Sequence, residues 1–130
     1  MADSTDYRKW LQRASQDLRL ADIIKKDGIQ GLEDAFCYIC HQATEKLLKA
    51  YIVKQEKVAP RSHDLLFLLG KCKKFDASLM RITDNLTILN EYSVSSRYPG
   101  DFDDKRTIED AKEAYQCICE IKKLLESLFQ

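Results

Sequence analysis

Apolar residues recur at positions 32, 36, 39, 43, 47 and 50, a three-then-four spacing that lines one side of an α-helix and fits no strand. A polar row of Gln42, Glu45, Lys46 and Lys49 runs beside the stripe. Glu45 and Lys49 stand one helical turn apart, the order in which an acid and a base support a helix. With only 4 Gly and 2 Pro in 130 residues, little elsewhere in the chain interrupts such patterns.

The same period predicts helices along nearly the whole sequence. A first helix starts near Asp3 to Asp6, buries Tyr7, Trp10, Leu11, Ala14, Leu18 and Ala21, and stops at Asp27-Gly28. The second runs from about Gly31 to Lys57 and ends before Val58-Ala59-Pro60, because a residue preceding proline avoids the helical region. Ser62 is placed to cap a short third helix carrying Leu65, Leu66, Leu68, Leu69 and Cys72. A fourth is expected over residues 76 to 92, a loop over 94 to 106, and a last helix from about Thr107 to Leu128. No alternating strand pattern and no fixed-period repeat competes. The expectation is an all-α antiparallel bundle of four to five helices forming a single domain over residues 1–130.

Charge excludes some functions and leaves others. The 21 basic and 21 acidic residues cancel, so no global field draws the protein to DNA or to an anionic membrane. Locally, residues 41 to 74 hold 8 basic and 3 acidic side chains, whereas residues 75 to 130 hold 7 basic and 11 acidic. No stretch approaches a transmembrane span and no secretory signal is evident, so a cytoplasmic location with five reduced cysteines is expected.

The chemistry-bearing motifs each have a plainer reading beside them. Cys37-Tyr38-Ile39-Cys40-His41 matches the c-type haem attachment string, but haem attachment requires export, and both cysteines fall inside a helix beside its apolar stripe. A zinc site joining them to Cys117 and Cys119 suffers from the same mid-helix placement. No metal and no cofactor is therefore expected. Neither His41 nor His63 accompanies a nucleophile motif, so no catalytic residue is assigned; His41 reads as a solvated shoulder residue and His63 as a capping or ligand residue. Lys46, Lys49, Lys54 and Lys57 form either a solvated face or one wall of an anion site completed by Arg61. Glycine-rich phosphate loops are absent. In Arg97-Tyr98-Pro99-Gly100, an arginine and an aromatic ring at a shaped loop suit a phosphate and a base, or simply pack the loop down.

Three segments in this order, Phe36 to Lys49 with its His-Gln-Ala-Thr-Glu-Lys-Leu-Leu-Lys centre, Arg61-Ser62-His63-Asp64-Leu65, and Ser96-Arg97-Tyr98-Pro99, resemble the HEPN domain family (higher eukaryotes and prokaryotes nucleotide-binding). The resemblance implies a compact helical bundle, similar to the substrate-binding subunits of nucleotidyltransferases, that pairs as a homodimer. It also implies nucleotide binding or partnership with a minimal nucleotidyltransferase. A ribonuclease branch of the family, with toxin members, uses Arg, then four to six residues, then His. Here the positions that far beyond Arg97 are Phe102, Asp103 and Asp104, and neither histidine has an arginine at the required distance before it. Without that imidazole the proton transfer has no evident carrier.

The leading expectation is thus a non-catalytic nucleotide- or phosphate-binding protein, with Lys46, Lys49, Arg61, His63, Arg97 and Tyr98 as the ligand-binding set. Two alternatives stand beside it: a divergent ribonuclease toxin of a toxin–antitoxin pair built on Arg97 and His63, and an interaction module that binds no ligand.

Overall fold

The computed structural model describes residues 3–93 and 105–130. The described residues contain five α-helices: α1 Tyr7–Asp27, α2 Glu33–Glu56, α3 Leu65–Cys72, α4 Thr83–Leu89 and α5 Ile108–Leu128. There is no strand among them, and the helices pack as the expected antiparallel bundle. No helix among the described residues is long and apolar enough to cross a membrane.

Local chemistry sets most helix ends. Asp6 caps α1 by accepting the Arg8 N–H at 3.0 Å, and Gly28 ends it at φ 131°, a conformation that suits glycine. Lys57 ends α2 in the left-handed region at φ 65°, with its N–H bonded to the Val53 carbonyl at 2.8 Å. Thr107 and Asp110 cap α5 reciprocally: the Asp110 N–H donates to Thr107 Oγ1 at 3.0 Å and the Thr107 N–H to Asp110 Oδ2 at 2.9 Å.

Helix α2 is the axis of the bundle. Phe36, Cys40, Ala43, Leu47, Leu48, Ile52 and Val53 are buried around more than one of its sides, because α1, α3 and α5 all lean on it. The small residues Ala14 and Ala21 of α1 lie fully buried, which lets the helix approach closely. Helix α5 contributes Ala114, Ile118, Ile121 and Leu125, and Tyr115 Oη donates to Asp22 Oδ1 on α1 at 2.9 Å. All five elements share one cluster of buried apolar residues.

Three details differ from the sequence reading. Leu32 does not join the buried stripe, since it precedes α2 and is 46% exposed. The cap of α3 is Asp64, which accepts from the N–H groups of Leu66 and Phe67; Ser62 serves the turn before it by accepting the Asp64 N–H at 3.1 Å. The fourth helix is broken into 3-10 turns at 77–82 and 90–92 flanking a short α4. At the first break the Thr83 hydroxyl donates to the Met80 carbonyl at 2.7 Å, a local bond that competes with continuous α geometry.

Candidate anion-binding cleft

Along one side of α2 the residues at 41, 45 and 49 are His, Glu and Lys, stacked one turn apart on a helix otherwise packed with apolar side chains. All three are buried. A buried carboxylate and ammonium are tolerated only when paired, and Lys49 Nζ lies 3.0 Å from Glu45 Oε2. Glu45 Oε1 accepts a second bond, from His63 Nδ1–H at 2.9 Å. Since an ionised carboxylate only accepts, it fixes which ring nitrogen of His63 carries the proton.

His41 holds this assembly from below. Its Nε2–H donates to the His63 backbone carbonyl at 3.1 Å, which pins the connection before α3 against α2. The other ring nitrogen, Nδ1, has no hydrogen-bond partner and stands 4.0 Å from Glu45 Oε1. Burial is the main influence on this imidazole and pushes its pKa below the ordinary value, against the smaller opposite pull of Glu45. His41 is therefore a neutral core residue, not the solvated shoulder residue its sequence position suggests.

Above Glu45 opens a cleft of about 370 Å³ lined by Asp3, Trp10, Glu45, Lys46, Lys49, Arg61 and His63. Trp10 Nε1–H donates to the Ser4 carbonyl at 2.9 Å, and Lys49 Nζ lies 5.8 Å from the Trp10 ring centre. Lys46 is ion-paired with Asp17 of α1. Arg61 is exposed and makes no ion pair among the described residues. Among the described residues the cleft thus offers one guanidinium without an ion pair, two lysines already held by carboxylates, one exposed imidazole and one half-buried indole.

Four of the six residues singled out from sequence, Lys46, Lys49, Arg61 and His63, line this one cleft. Arg97 and Tyr98 lie outside the described residues, as does most of the loop expected over 94 to 106. The other two lysines of the run go elsewhere. Lys54 lies 5.5 Å from the ring centres of both Tyr7 and Phe129, and Lys57 caps α2. Cys37 and Cys40 are fully buried in the core, where desolvation pushes the Cys37 thiol up to about 12.

Glu45, Trp10 and Asp3 are the lining residues missing from the sequence set. Glu45 was legible as a partner of Lys49, but i, i+4 pairs usually decorate a wet face, and nothing in the pattern announced a buried one. Trp10 reads as core because it falls on the apolar stripe of α1, yet it sits half-exposed at the cleft edge.

Fold and site together describe a helical bundle with a charged cleft beside its central helix. The chain belongs to the HEPN family: the family model described as HEPN domain matches residues 7–128. Among solved structures it is similar to TT1696 from Thermus thermophilus, with 23% identity, a TM-score of 0.75, and coverage of 95% of this chain and 98% of that one. It is also similar to ST0689, described as an archaeal HEPN homologue, with 22% identity, a TM-score of 0.68 and coverage of 95% and 98%. At these identities the likeness concerns the fold alone. No curated protein matches the chain significantly.

Proposed function

We propose that this protein binds the phosphate of a nucleotide in the cleft beside α2, without catalysing a reaction, and does so as a homodimer or as partner to a minimal nucleotidyltransferase. The observation that carries the reading is the convergence of Lys46, Lys49, Arg61 and His63 around Trp10 in one cleft. Cations at this density suit a phosphate, and an indole at the edge suits a base, since stacking contributes on the order of 1–3 kcal/mol per base. Because Asp17 and Glu45 already engage the two lysines, Arg61 and His63 are the groups freest to meet a ligand. Calorimetry against ATP, GTP and their diphosphates tests the reading. Saturable heat that disappears in Arg61→Ala supports it, and silence at millimolar ligand favours the interaction module.

A second reading draws on the His63–Glu45 pair, since an imidazole held by a carboxylate is how general bases are oriented. That arrangement would serve a divergent ribonuclease. An RNA-cleavage assay on wild type, His63→Gln and Arg97→Ala separates the two, because only an enzyme loses a measurable cut on substitution.

A further inference from the structure

We propose that the cleft takes up its anion together with a proton that lands on His63, and that Glu45 is the positioning residue that enforces this coupling. The inference rests on the phosphate-cleft reading above and adds to it a protonation requirement.

A neutral imidazole has a single N–H, and His63 gives it to Glu45 through Nδ1 at 2.9 Å. Its Nε2 is then a bare lone pair, on a ring whose side chain is 63% exposed and lines the cleft. A phosphate oxygen needs a donor, and a lone pair repels it. Once the ring gains a proton, Nδ1–H stays on Glu45 and Nε2–H becomes a charged donor aimed outward. Glu45 cannot turn away to free the ring, because its other oxygen is held by Lys49 at 3.0 Å.

No neighbouring group among the described residues relieves this need. On α2, Lys49 is engaged by Glu45 and Lys46 by Asp17 of α1. His41 spends its Nε2–H on the His63 carbonyl, and its bare Nδ1 faces the same Glu45 oxygen from 4.0 Å. On the connection itself, Asp64 accepts from the start of α3 and from Asn90 Nδ2. Asp3, at the cleft edge, adds negative charge. Arg61 is the remaining cation without an ion pair among the described residues, so a dianion meets one free charge and calls for a second. The His63 imidazolium supplies it through Nε2–H.

Calorimetry with inorganic sulfate provides the test, because sulfate keeps its double charge from about pH 6 to about pH 8 and brings no titrating proton of its own. Repeating each titration in two buffers of different ionisation heat counts the protons taken up. The wild type is expected to take up close to one proton per sulfate near the upper end of that range, with affinity falling by up to about tenfold per pH unit. His63→Gln offers an amide N–H in every state but no charge, so it is expected to bind more weakly than the wild type at low pH, with no proton uptake and a flat pH profile. Glu45→Gln can donate to Nδ1 and release the ring proton to Nε2, so it too is expected to keep binding and lose the uptake. A purely structural role for Glu45 would weaken binding without changing the proton count. Sulfate bound by wild type with no proton uptake overturns this inference alone, as does uptake that survives in the exposed His63→Gln variant. Silence of both sulfate and ADP at every pH overturns the inference and the cleft reading together.

Discussion

Glu45 and Lys49 form an ion pair inside the protein, with Nζ 3.0 Å from Oε2 and side-chain exposures of 6% and 7%. Both side chains are largely shielded from solvent, so each depends on the other and on the groups that complete the shell, His63 for the acid and the Trp10 ring for the base. Removing one partner leaves a buried charge uncompensated, which typically costs about 3–5 kcal/mol. Glu45→Ala is therefore expected to lower the unfolding free energy by an amount of that order in urea titrations. The double variant Glu45→Leu with Lys49→Met should recover much of the loss, since a well-packed apolar pair of similar volume carries no desolvation penalty.

Buried, neutral His41 makes stability depend on pH in one direction. Burial lowers its pKa in the folded chain, so below the ordinary imidazole value, about 6.5, the unfolded chain takes up a proton that the folded chain refuses. Above that value the group contributes nothing to the pH dependence. As pH falls through about 6.5 the folded state loses ground, until the folded pKa is reached and the penalty levels off. Urea midpoints measured from about pH 8 to about pH 5 should show this decline in wild type and a shallower one in His41→Gln.

Lys57 holds a left-handed conformation that non-glycine residues adopt at a cost of roughly 1–2 kcal/mol. Its side chain is exposed, so little is lost with it. Lys57→Gly should raise stability by about 0.5–1 kcal/mol, the relieved strain being partly offset by the greater freedom of the unfolded chain. A thermal melt checks it; a fall in Tm would show that the lysine side chain contributes more than its exposure suggests.

Thiol reactivity reports the packing of the core. Of five cysteines, Cys119 is exposed and Cys37, Cys40, Cys72 and Cys117 are buried. Desolvation raises the thiols of Cys37 and Cys72 to about 12, so almost none of either is thiolate near neutrality. An aromatic disulfide reagent should titrate one thiol rapidly in the native protein and all five in denaturant.

How far the sequence reached depends on what kind of interaction decided each feature. Helices α1, α2 and α5 were legible because long apolar periods, Asp6, Gly28 and Thr107 all point to the same boundaries. The break around Thr83 was not, since it turns on one hydroxyl choosing a carbonyl three residues back. Within the cleft, Lys46, Lys49, Arg61 and His63 could be grouped because cations near a helix start suggest an anion. Burial of His41 and Glu45 could not be read, because it depends on how α1 and the 57–64 connection fold over α2. Trp10 shows the same limit: an aromatic on an apolar stripe looks like core until the neighbouring helix leaves one edge open.

The central claim is that the cleft bounded by Trp10, Arg61 and His63 receives a nucleotide. Trp10 is the sole tryptophan, so its fluorescence reports that cleft without interference from elsewhere in the chain. Titration of the wild type with ADP should change the emission saturably, and the double variant Arg61→Ala, His63→Gln should remain unchanged over the same range. An emission that stays constant in the wild type up to millimolar ADP, or a wild-type response fully retained by the double variant, contradicts the claim.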